Sequence, residues 1–106
     1  MTDMVYNKLV RDRIPHMIRQ QGETPVTRIL EEEEYLHHLE AKLDEEVGEY
    51  HRDKNAEELA DILEVVFALA DNIGCTRQEL MDIYQRKHDE RGGFGERCFL
   101  IGKEKA

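Results

Sequence analysis

Leu36, Leu39, Leu43, Val47 and Tyr50 recur along the chain at steps of 3, 4, 4 and 3, the spacing that places them on one face of an α-helix. No other feature constrains the fold as strongly, because a strand would scatter the same residues over both its faces. The run predicts a long helix from about Glu32 to Arg52. Just beyond it, Asn55 with Glu58 at the third helical position forms a capping-box pattern that opens a second helix, reaching about Asn72. The middle of that helix (Leu59, Ile62, Leu63, Val65, Val66, Phe67, Leu69) is apolar nearly all round, so it is expected to be buried and central. Gly74 is the expected stop. Thr76 with Glu79 repeats the capping box and starts a last helix through about Glu90, ended by Gly92-Gly93.

The remaining elements are short. Pro15 is tolerated only in a first helical turn, so a small helix is expected from about Arg13 to Gln21, before Gly22. Val26-Thr27-Arg28-Ile29-Leu30 reads as a strand or extended segment, and Phe99-Leu100-Ile101 is a candidate for a second one. The expected architecture is a single domain over residues 1–106, mainly α. It is a small bundle of about four helices, two of them long and antiparallel, with a short two-strand pairing of the two extended segments. Leu, Ile, Val and Phe make up roughly a quarter of the 106 residues, enough to fold but a thin core for a chain that is 37% charged. The second long helix has more apolar circumference than one short chain can cover, which predicts a homo-oligomer.

Charge is unevenly distributed. Residues 31–61 hold 13 acidic and 3 basic side chains, while the whole chain carries a formal charge of −9. One segment therefore carries the acid surplus, and basic residues gather toward both ends. An acidic chain lacks the positive face that phosphate backbones require, which argues against nucleic acid as partner. No apolar run approaches the roughly 20 residues of a membrane-spanning helix. Without a signal-like apolar segment, and with only two cysteines, 23 residues apart, the chain reads as cytoplasmic. A carboxylate-rich centre flanked by cations suits divalent ions together with a small anionic molecule; a solvated acidic helix face is the plainer alternative.

Within the acidic segment, Glu46 and Glu49 lie three apart on the first long helix, as do Glu58 and Asp61 on the second. Residues three apart share a helix face, so each pair can chelate. By helical phase, Glu46 lies about 60° from the centre of the apolar stripe, Glu49 about 120° and Glu45 about 160°. Glu58 and Asp61 border the apolar face of their own helix. All four are therefore expected at the seam between the two long helices. Carboxylates crowded there repel one another and call for a cation. Their hard oxygens select Mg²⁺, with Mn²⁺ as a substitute.

The string Glu45-Glu46-x-x-Glu49 followed by Glu58-x-x-Asp61 resembles the acidic signature of the MazG-like, all-α nucleotide pyrophosphohydrolases, which include phosphoribosyl-ATP pyrophosphohydrolases and dimeric dUTPases. Two further stretches look like one compact branch, the house-cleaning pyrophosphatases. They are Tyr6-Asn7-Lys8-Leu9-Val10-Arg11-Asp12-x-Ile14-Pro15 and Lys87-x-x-x-Arg91-Gly92-Gly93-Phe94. The likeness runs from about residue 5 to 101. Only eight residues separate Glu49 from Glu58, fewer than in longer members, which implies a minimal version without extra pocket-lining insertions. The resemblance implies hydrolysis of a nucleoside triphosphate, including a noncanonical one, between the α and β phosphates. It implies Mg²⁺ on Glu46, Glu49, Glu58 and Asp61, with Glu46 or Glu49 also activating water and Glu45 in support. Lys8, Arg11, Lys87 and Arg91 would meet phosphate, in a homodimer or homotetramer. Asp12 is expected to fix an arginine or to cap the first helix.

Other residues have plainer readings. His37 and His38 are adjacent and point about 100° apart, which suits solvation better than joint ligation. Cys75 and Cys98 read as small buried or half-buried residues. Gly92-Gly93-x-Gly95 follows a helix rather than a strand and so is not a dinucleotide loop. The competing function is a non-catalytic acidic helical dimer that serves as an interaction or regulatory module.

Overall fold

The computed structural model describes residues 4–105. Four helices follow one another: α1 (Ile14–Gln20), α2 (Glu32–Asp53), α3 (Ala56–Asn72) and α4 (Arg77–Arg91). The small all-α architecture is the expected one, and the helix limits fall within about two residues of those read from the capping signals.

Local chemistry explains each boundary. In α1, Pro15 sits in the first turn, where its missing N–H costs nothing. Helix α2 has no side-chain cap, but Glu32, Glu33 and Glu34 occupy its first turn and His51 and Arg52 its last, matching the helix dipole at both ends. Lys54 then adopts a left-handed conformation with φ 48° and ψ 48°, which turns the chain sharply. Asn55 Oδ1 accepts from the Glu58 N–H at 3.0 Å and starts α3 at once; a cap of this kind contributes about 1 kcal/mol. The link between α2 and α3 is therefore only Lys54 and Asn55, and the two helices pack as an antiparallel hairpin.

Helix α3 ends in a Schellman turn. The Cys75 N–H donates to the Ala70 carbonyl and the Gly74 N–H to the Asp71 carbonyl, with Gly74 at φ +82°, a conformation that glycine adopts without strain. Thr76 and Glu79 form the reciprocal capping box that opens α4. Close to this turn the Arg77 guanidinium stacks over the Phe67 ring at 4.2 Å, tying the start of α4 to α3.

The core lies in the α2–α3 seam, around Leu39, Val65 and Ala70. Here the structure corrects one expectation: α3 is not enclosed. It packs along α2 and leaves Leu63 52% exposed, with Leu59 similarly open. On α4, Met81, Ile83 and Tyr84 are exposed too. The chain measures 70 × 32 × 22 Å with a radius of gyration of 18.9 Å, against about 13 Å for a compact chain of this length. The two-strand pairing is also absent among the described residues. Val26–Leu30 and Phe99–Ile101 have no regular structure, because a strand needs a neighbour to satisfy its backbone and neither segment meets one. Cys98 is exposed rather than half-buried.

Candidate metal centre

The α2–α3 hairpin brings Glu46, Glu49, Glu58 and Asp61 together, each with one carboxylate oxygen within 4.8 Å of the others. The short link accounts for this: Glu46 and Glu49 come from the last two turns of α2, and Glu58 and Asp61 from the first two of α3. Glu46 is the most deeply set, only 7% exposed. Its Oε2 and the Oε2 of Glu58 are shielded from solvent and have no hydrogen-bond partner among the described residues. Orphaned buried carboxylate oxygens cost free energy unless a donor or a cation meets them. They face a cluster of further acids, which supplies no donors when ionised.

The electrostatics follow from this crowding. Burial first, and then the neighbouring Glu49, push the Glu46 carboxyl above its ordinary value. Burial also raises Glu58, again with help from Glu49. Glu45 behaves differently: although burial acts to raise it, Lys8 and Lys42 hold it below the ordinary range. Lys8 Nζ lies 3.2 Å from Glu45 Oε1, and Lys42 Nζ lies 3.4 Å from Glu45 Oε2 and 3.5 Å from Glu46 Oε1. Arg11 Nη2 lies 2.6 Å from Asp61 Oδ1, and Arg11 Nη1 lies 3.8 Å from Glu64 Oε1.

Beside the carboxylates an open cavity of about 520 Å³ runs under the N-terminal segment and α1. Ile14, Met17, Tyr35, Leu39, Val65 and Ala68 supply apolar wall, Arg11, Arg13 and Lys42 supply cations, and Glu46 and Asp61 stand at its edge. An apolar chamber with a few convergent charges is the usual form of a small-molecule site.

The expected cations divide into two sets. Lys8 and Arg11 reach the acidic hairpin, each paired to a carboxylate. Lys87 and Arg91 do not: on the far half of α4 they are exposed, line no part of this cavity and pair with none of the four acids among the described residues. The cause is the Gly74 turn, at the opposite end of α3 from Glu58 and Asp61. Asp12 lines the cavity but neither caps α1, whose N-cap is Arg13 without a side-chain bond, nor pairs an arginine among the described residues. Lys42 escaped the sequence reading, although its place four residues before Glu46, on the same helix face, was the available signal.

Comparison with known proteins adds little to this geometry. A protein of Mycolicibacterium smegmatis described as an uncharacterized protein is 62% identical over 42 residues, 40% of this chain and 43% of that relative. The match thus spans less than half the length of the curated relative. No family model matches the chain, and no solved structure does.

The raised carboxyls carry a sign. Because Glu46 and Glu58 stand above their ordinary value of 4.5 in the folded chain, the native state binds protons more readily than the unfolded state just above that value. Stability of the metal-free protein therefore rises as pH falls from neutrality into that window. Glu34 and Glu45, held low, oppose this only once the pH drops below 4.5. Thermal melts in chelator between neutrality and about pH 5 are expected to show the midpoint climbing, on the order of a few degrees, as pH falls. A midpoint that falls over the same range would contradict the crowding.

Proposed function

We propose that this chain is a Mg²⁺-dependent nucleotide pyrophosphohydrolase of the MazG-like kind, cleaving a nucleoside triphosphate to the monophosphate and pyrophosphate, with Mn²⁺ as an alternative ion. The observation that carries this reading is the convergence of four carboxylates, two of them with buried unpartnered oxygens, at the edge of a cavity with cationic walls. Those oxygens fit a hard divalent ion: Glu46, Glu49, Glu58 and Asp61 would hold it. When bound, the ion supplies neutralisation of the polyphosphate charge and polarisation of the phosphoryl group under attack.

The chain's own residues do the rest. A water oxygen bonds to the α-phosphorus, the bridge to the β-phosphate breaks, and pyrophosphate leaves with the bridging oxygen. The water's proton passes to Glu46 or Glu49. Lys8, Arg11 and Lys42 surround the acids and can meet phosphate oxygens, while the apolar wall and Tyr35 accept the nucleoside. Lys87 and Arg91 are assigned to phosphate by resemblance alone.

Purified protein incubated with Mg²⁺ and a panel of canonical and modified nucleoside triphosphates is expected to release pyrophosphate. Glu49→Gln and Asp61→Asn should each lower turnover by about 100-fold or more. Cleavage untouched by both substitutions, or no cleavage of any triphosphate, would refute the reading and leave the non-catalytic acidic module.

The same reading includes a homodimer or homotetramer in the cytoplasm. No helix among the described residues is long and apolar enough to cross a membrane. The exposed Leu59 and Leu63 of α3, the Met81, Ile83 and Tyr84 of α4 and the bare Phe94, Phe99, Leu100 and Ile101 are more apolar surface than a monomer usually leaves in water. A second copy is the natural cover, since both copies carry the same faces. Light scattering should give two or four times the mass of one chain, and Leu63→Glu should shift it toward one. A monomeric wild-type protein would contradict the assembly.

A further inference from the structure

The shortest ion pair at the site is the one that competes most closely with a metal. Asp61 is one of the four clustered acids, yet its Oδ1 is already taken by the Arg11 guanidinium at 2.6 Å. A divalent ion bound to Asp61 would stand beside that guanidinium, and two cations drawing on one carboxylate at such range repel each other. The other contacting cation, Lys42, sits on α2 four residues before Glu46 and touches it at a looser 3.5 Å. Lys8 holds Glu45, which lies outside the four. Of the two cations that touch the four acids, Arg11 makes the shorter contact.

It is also free to leave. Arg11 precedes α1 in a segment without regular structure, and its side chain is half exposed, so it can swing without unpacking a helix. It lines the cavity together with Arg13 and Lys42. A guanidinium released from Asp61 therefore stays at the cavity wall, presenting the planar fork that suits phosphate oxygens.

We infer that Arg11 is the resident counter-cation of the carboxylate cluster: in the metal-free chain its guanidinium holds Asp61, and a divalent ion entering the cluster displaces it toward the cavity, where it meets the polyphosphate. This inference rests on the metal-binding reading above. It adds that metal and arginine compete for one carboxylate, and that the loser of that competition becomes a phosphate ligand. One residue thereby couples loading of the ion to readiness for the substrate.

The test uses MnCl₂ alone and then inorganic tripolyphosphate, each followed by calorimetric titration of the whole protein, so that no turnover is needed. Arg11→Met is expected to bind Mn²⁺ about two- to tenfold more tightly than wild type. With Mn²⁺ saturating, it is expected to bind tripolyphosphate more weakly by a similar factor. Arg11→Lys, which keeps a charge but not the fork, should lie between the two proteins in both titrations. If Arg11→Met does not fold, Arg11→Gln, which keeps a hydrogen bond to Asp61 without the charge, is held to the same two outcomes. Arg28→Met is the control: it breaks the Arg28–Glu34 pair of 2.8 Å, removes the same charge and should leave Mn²⁺ affinity unchanged. Mn²⁺ binding by Arg11→Met equal to or weaker than wild type, tripolyphosphate binding indifferent to the substitution, or an equal gain in Arg28→Met would each overturn the exchange while leaving the metal site standing. A wild-type protein that takes up no Mn²⁺ overturns both.

Discussion

Mutual repulsion among four carboxylates, gathered at the joint of a helical hairpin, is the constraint that organises this protein. Glu46, Glu49, Glu58 and Asp61 approach within 4.8 Å of one another because α2 and α3 are joined by two residues and packed along one apolar seam. Leu39 and Val65 bury that seam, and the Asn55 cap starts α3 where Glu58 and Asp61 must face back toward α2. The hydrophobic contact thus holds the acids in an arrangement that electrostatics alone would scatter. Lys42, Lys8 and Arg11 relieve part of the repulsion from outside. Two buried oxygens are left without a partner among the described residues. Packing along the seam therefore holds together acids whose charges oppose the arrangement, and the proposed cation would relieve that repulsion.

The N-terminal segment takes on meaning from the same constraint. Residues 4–13 form no helix, yet two of their cations reach the hairpin acids across 37 and 50 positions of sequence. The segment and α1 close one side of the cavity, so the acids, the cavity and the cationic strap belong to one continuous surface. The opposite, apolar side of α3 and the whole of α4 take no part in it.

What the sequence makes legible divides along physical lines. Helix limits were readable because Asn55, Thr76, Gly74 and Pro15 act on their nearest neighbours alone. The four carboxylates were readable because helical phase and the amphipathic stripe place them at the seam without knowledge of the rest of the chain. Pairing of Val26–Leu30 with Phe99–Ile101 was not readable, since strand propensity is empty without a partner and the intervening helices decide whether one arrives. Where α4 carries Lys87 and Arg91 was not readable either, for a similar reason. It depends on the direction in which α4 leaves the Gly74 turn, and near that turn the tie is little more than Arg77 on Phe67. Enclosure of α3 was expected from its composition, but one chain brings only α2 alongside it.

Whether the four acids hold a metal is decided by diffraction from crystals of the protein grown or soaked with Mn²⁺, read at the manganese absorption edge. An anomalous peak is expected in the α2–α3 joint, within about 2.0–2.5 Å of oxygens from Glu46, Glu49, Glu58 and Asp61. Clear density for the four side chains with no peak among them, or with manganese bound only elsewhere, would contradict that expectation.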